Sequence, residues 1–188
     1  MKHTKKREKI NNQGLTLIEL IVTIAIIGIF GVVVMSFVTS GANFYRQASD
    51  TSTVQRSMQM TLDQIENLVI DTNKSISYSV GGQATQSDLG SQDSQEKILI
   101  LESVQGENTQ HKEILKWNPD EKKLYCNYNS DRATDMKVMA ENISVFSADI
   151  SQAVSDGIVR FQITIQKRDK EMTQTYTVTL RNQLSADS

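Results

Sequence analysis

The sequence predicts an α+β fold, one long N-terminal helix packed against an antiparallel β-sheet, and three observations predict it. An apolar run, Leu15–Val38, lies near the start of the chain and carries a single charge, Glu19. The next stretch is polar but repeats its apolar residues at helical spacing. From Lys97 onward, short runs alternate apolar and polar residues, as half-buried antiparallel strands do. At 188 residues the chain is long enough for one core besides the apolar run.

Residues 1–14 form a basic leader. Lys2, Lys5, Lys6, Arg7 and Lys9 stand against Glu8, a local charge of +4 in a chain of net charge −2, which leaves the rest at −6. An acidic body is a poor partner for phosphates, so direct nucleic-acid binding is not expected. Basic residues beside an apolar run instead mark the cytoplasmic end of a membrane segment.

Leu15–Val38 would be roughly 36 Å long as a helix, enough to cross a bilayer. It is longer than the apolar core of a secretory signal, and no small-residue cleavage site follows it. A single transmembrane helix over 15–40 is therefore expected, N-terminus inside. Charges stop at Glu19 and return only at Arg46. A carboxylate inside an apolar run is expensive and marks function.

From Phe44 to about Asp71 the helix is expected to continue outside the membrane. Val54, Met58, Leu62, Ile65 and Val69 recur at steps of four, four, three and four, one apolar stripe facing a core. Gly41 is expected to bend this helix or weaken it. The segment 81–95, GGQATQSDLGSQDSQ, reads as a mobile surface loop. Strands are expected at 97–103, 112–117, 123–128, 142–150, 158–166 and 174–181. Pro119, in NPDEK, marks a hairpin turn between the second and third of these, and KRDKE one between the last two.

Candidate chemistry in the body is sparse. His3 lies in the leader, and His111 reads as an exposed polar residue without metal-ligand spacing to Cys126 or a second histidine. Cys126 is the only cysteine, so no intrachain disulfide forms; it reads as a small strand residue. No serine sits in a nucleophile elbow, and no glycine-rich phosphate loop is present. Asp120 and Glu121 read as a solvated turn. Asn129, Asp131 and Asp135 leave a calcium site open but fit no standard loop. Neither an enzyme nor a cofactor or metal is expected.

The order Gly14, Leu15, Thr16, Leu17, Ile18, Glu19, behind a short basic leader and opening an apolar helix, closely resembles the class III signal of type IV pilins and type II secretion pseudopilins. The resemblance implies a pilin-like fold and a leader 1–14 removed by a prepilin peptidase, which cuts between Gly14 and Leu15 and N-methylates Leu15. It also implies a globular domain over 41–188, partners among other pilin subunits, and an inner-membrane assembly platform. Glu19 takes the place of the family's glutamate. A carboxylate in the first turn suits the helix dipole. In a filament it can meet the new Leu15 amine of a neighbour, and left unpaired among apolar helices it would be penalised, so it sets the register of stacking.

The C-terminal half, with ILKWNPDEKKLY, NISVF and YTVTLRN, resembles a minor pilin or a J-type minor pseudopilin. Leu15 stands where the family usually has Phe or Met, and Ser36 where many major pilins have proline. No cysteine pair closes a C-terminal loop. The last two departures favour a minor subunit or pseudopilin over a major pilin. Secretion, DNA uptake, motility and adhesion all use this design. The alternative is a permanently anchored bitopic receptor or adhesion module, which needs no cut at Gly14.

Overall fold

The computed structural model describes residues 16–91, 94–105, 109–127 and 136–184. The chain divides into two compact units, Met1–Gln47 and Ala48–Ser188. Helix α1, Leu17–Val69, contributes to both. At 53 residues it is about 80 Å long. It stays helical through Gly41, where an added Cβ would meet nothing within 4 Å, so the bend expected there is not needed to relieve any contact.

In the second unit α1 buries one stripe. Val54, Met58, Leu62, Ile65 and Val69 are all buried, joined by Thr61 and Leu68. This is the stripe the spacing predicts, and it packs against antiparallel sheets in one hydrophobic core.

Two sheets form that core where the sequence suggests one. The first has six strands in the order β2-β1-β3-β4-β5-β6: β1 Ser75–Val80, β2 Gln83–Thr85, β3 Lys97–Gln105, β4 Thr109–Asn118, β5 Lys123–Asn127 and β6 Lys137–Glu141. The second has three, β7 Ile143–Asp149, β8 Ile158–Lys167 and β9 Lys170–Thr179, in sequence order. Every strand pair is antiparallel. Asn142 joins the two sheets with φ 64, a left-handed conformation that Asn adopts more readily than most residues. Trp117 on β4 ties them together, its Nε1–H donating to the Ile143 carbonyl at 3.0 Å.

The turns follow their residues. Gly81 and Gly82, both at positive φ, link β1 to β2 as a two-residue hairpin, the conformation that favours glycine. Between β4 and β5 the Asn118 side chain accepts the backbone N–H groups of Asp120 and Glu121, so this pair sits in a turn, as expected. Arg168 and Asp169 form the β8–β9 turn, and Arg168 reaches Asp50 on α1 at 2.8 Å.

The segment 81–95 departs from the loop the sequence suggests. Its described residues supply β2, a bridge from Ser87 to Asp149, and Asp88, whose side chain is only 9% exposed. The physical reason is a pair of inward partners for Asp88, Lys97 on β3 and Tyr78 on β1.

Candidate functional site

Among the described residues, the first unit is an apolar helix that none of its own residues covers. Between Leu17 and Val38 its large apolar side chains are 44% (Val34) to 78% (Leu17) exposed. A window of this helix reaches a mean hydropathy of 2.8 with none of it buried, long and apolar enough to cross a membrane. Two threonine hydroxyls turn back on the backbone. Thr23 donates to the Glu19 carbonyl and Thr39 to the Met35 carbonyl, so neither donor is left unmet on this apolar surface.

Glu19 sits in the first turn, and the structure gives it a local partner. The Thr16 N–H donates to Glu19 Oε2 at 2.9 Å, and the Thr16 hydroxyl to the same oxygen at 3.0 Å. The Glu19 N–H points back to Thr16 Oγ1 at 3.4 Å. The Thr16 carbonyl takes the first intrahelical bond, from the Leu20 N–H at 3.2 Å. Thr16 is thus an N-cap and Glu19 its reciprocal partner, a capping box that satisfies two orphan donors at the helix start. Both Thr16 donors converge on Oε2, so the carboxylate keeps acceptor capacity for a further cation. Thr16 is legible as the first residue of a T-x-x-E pattern ahead of an apolar run. The cleavage pair Gly14 and Leu15 lies outside the described residues.

His111 is half-buried on β4 and Cys126 is buried on β5. Asn129, Asp131 and Asp135 lie outside the described residues. Among the described residues no group of three His, Cys, Asp or Glu could hold a metal ion. A cleft of about 510 Å³ between α1 and β6, with Met60 and Val138 on its walls, carries Glu141 as its one titratable lining residue. A single carboxylate supplies neither an acid–base pair nor a nucleophile with its base.

Comparison with known protein families adds to this geometry. Residues 9–38 match the family described as Prokaryotic N-terminal methylation motif. The match spans the end of the leader, Gly14, Leu15, the Thr16–Glu19 capping box and the exposed apolar helix. Comparisons with curated proteins and with solved structures give no match. The motif and the apolar helix support anchoring in a membrane, and the motif points to a structural subunit rather than an enzyme. The chain carries the class III signal, and that signal, on a long apolar helix packed at its far end against antiparallel sheets, supports its membership of the type IV pilin and pseudopilin family.

Proposed function

We propose that the protein is a minor pilin or pseudopilin, made as a membrane-anchored precursor and added to a filament. In this reading the N-terminus is cytoplasmic, the span is single and the sheet domain lies outside. A prepilin peptidase cuts between Gly14 and Leu15 and methylates Leu15. The assembly platform then lifts the subunit among other pilins, whose helices cover the Leu17–Val38 surface.

One observation carries the reading: an apolar helix exposed all round lies within the matched segment, beginning three residues after Gly14. Such a surface needs lipid first and neighbouring helices later. Glu19 suits that transfer. In the single subunit its carboxylate is held by Thr16. In the filament the Leu15 amine of a neighbour becomes its counter-ion, at a point where a lone carboxylate would be costly. Thr16 keeps the carboxylate folded over the helix start and so limits the directions from which that amine can approach.

The test is to follow Glu19→Ala and Thr16→Ala in cells that assemble the filament. Both variants should be cleaved and reach the membrane. Glu19→Ala should be almost absent from sheared filaments, and Thr16→Ala should be reduced less. Wild-type incorporation of Glu19→Ala would remove the pairing role. An unprocessed wild-type chain performing its function in the membrane would favour the bitopic receptor.

A further inference from the structure

Between the two sheets lies a lysine–aspartate pair that the filament reading does not use. Lys97 opens β3, with Val80 of β1 on one side and Trp117 of β4 on the other. Its side chain is fully buried, and its Nζ lies 5.3 Å from the Trp117 ring centroid. Asp88 reaches in from the segment after β2, and its Oδ2 is 2.5 Å from Lys97 Nζ. At that distance the two atoms nevertheless lack hydrogen-bonding alignment, and neither has another hydrogen-bond partner among the described residues. The amine is pressed against the carboxyl group rather than seated on its lone pairs.

The other carboxyl oxygen is held differently. Asp88 Oδ1 accepts the Tyr78 hydroxyl at 2.8 Å and the Ala148 backbone N–H at 3.0 Å. Two donors converging on one oxygen, at these distances, are the arrangement that stabilises the oxyanion of a tetrahedral intermediate. Tyr78 is itself 1% exposed, and burial, then its bond to Asp88, push its phenol far above the ordinary range. It therefore stays a proton donor throughout the physiological range.

We infer that Lys97 and Asp88 form an intramolecular amide, a covalent cross-link between the start of β3 and the segment that follows β2. The chemistry needs no co-reactant. The step begins with transfer of one proton from the ammonium to Oδ2, which frees the Nζ lone pair. Nζ attacks Cγ, and the developing charge falls on Oδ1, under Tyr78 and the Ala148 N–H. The C–Oδ2 bond then breaks, and Oδ2 leaves with two protons as water, both supplied by the original ammonium. One N–C bond forms, one C–O bond breaks, and nothing is oxidised or reduced.

Such a link suits this domain. With Cys126 as the only cysteine, no disulfide can staple it. A cross-link stabilises chiefly by restricting the unfolded chain. Here it would fix a segment that also bridges to β7 through Ser87 and Asp149.

The experiment is peptide mapping by mass spectrometry of the full-length protein, extracted from membranes in detergent and digested under denaturing conditions. No Lys or Arg lies between Asp88 and Lys97, so the expected tryptic product is a single internally looped peptide, residues 75–112, uncut after Lys97 and about 18 Da lighter than the linear sequence. Lys97→Arg and Asp88→Ala should abolish it, and Tyr78→Phe should leave a larger uncross-linked fraction after a timed pulse of synthesis. A linear 75–97 peptide at full mass, cut after Lys97, in wild-type protein would overturn the inference and leave a buried ion pair. This readout is taken on the wild-type chain, so it stands whether or not the variants fold.

Discussion

The two ends of helix α1 obey different rules. From Leu17 to Val38 apolar side chains point in every direction and all are exposed. From Val54 to Val69 they keep to one stripe, and that stripe is buried. A helix that is apolar all round needs an apolar surrounding, whereas a striped one needs only a core on one side. The second half finds that core in its own chain. The first half does not, and the proposed function accounts for it, since a subunit made for a bilayer and then for a bundle of like helices would have no use for an internal partner.

The contrast breaks most sharply if a charge is placed in each half. Ile27→Lys puts an ammonium near the middle of the apolar run, at a cost of roughly 2.5–3.5 kcal/mol on insertion scales. The variant should be largely lost from the carbonate-resistant membrane fraction. Gln55→Lys, on the exposed side of the second half, should insert normally and shift stability by no more than about 0.5 kcal/mol. Equal behaviour of the two would mean that both halves see the same surroundings.

Truncation sharpens it in the other direction. Met58 is fully buried, and Met58→Ala should cost roughly 2–5 kcal/mol, read as a lower unfolding temperature of the full chain in detergent. Met60, two residues on and 50% exposed, should tolerate alanine almost silently. The same truncation at Ile26 should leave domain unfolding unchanged, since that side chain touches no core.

The stripe, the β4–β5 hairpin and the β8–β9 hairpin are legible because period and turn chemistry are local. Val54 to Val69 carry the helical step, and Pro119 and KRDKE mark the reversals. What stays hidden is pairing. Nothing local says that β7 leaves the first sheet and starts a second; that switch rests on one left-handed residue, Asn142. β1 escapes notice although Ile76, Tyr78 and Val80 alternate, because only Tyr78 is fully buried and serines fill the gaps. β2 and β6 are short edge strands with little apolar content to mark them. Asp88 sits in a stretch of Gly, Ser and Gln, and its role depends on partners 10 residues back at Tyr78 and 60 residues on at Ala148. In the candidate site Glu19 stands out by its charge, whereas its partner Thr16 emerges only from the capping pattern.

The smallest expected effect lies in the second unit's electrostatics. Hydrogen bonds from Ser151, with the Arg160 guanidinium at 3.7 Å, hold the Asp149 carboxyl below its usual range. A folded-state value below the unfolded one stabilises the fold above the unfolded value, and that contribution fades as pH falls through the folded one. The unfolding temperature of wild type should therefore exceed that of Asp149→Asn by a small margin at pH 6, with the gap closing below about pH 4. An unchanged gap at about pH 3 would assign the difference to packing.

The most direct measurement is the N-terminal residue of the native protein, taken from its membrane or filament fraction in cells with an active prepilin peptidase. The expected chain starts at Leu15, carries a methyl group on its amine, and accumulates at full length in a Gly14→Ala variant. A native chain still beginning in the leader, unaffected by Gly14→Ala, would mean that the apolar half of α1 is a permanent anchor and that Glu19 has no neighbouring amine to meet.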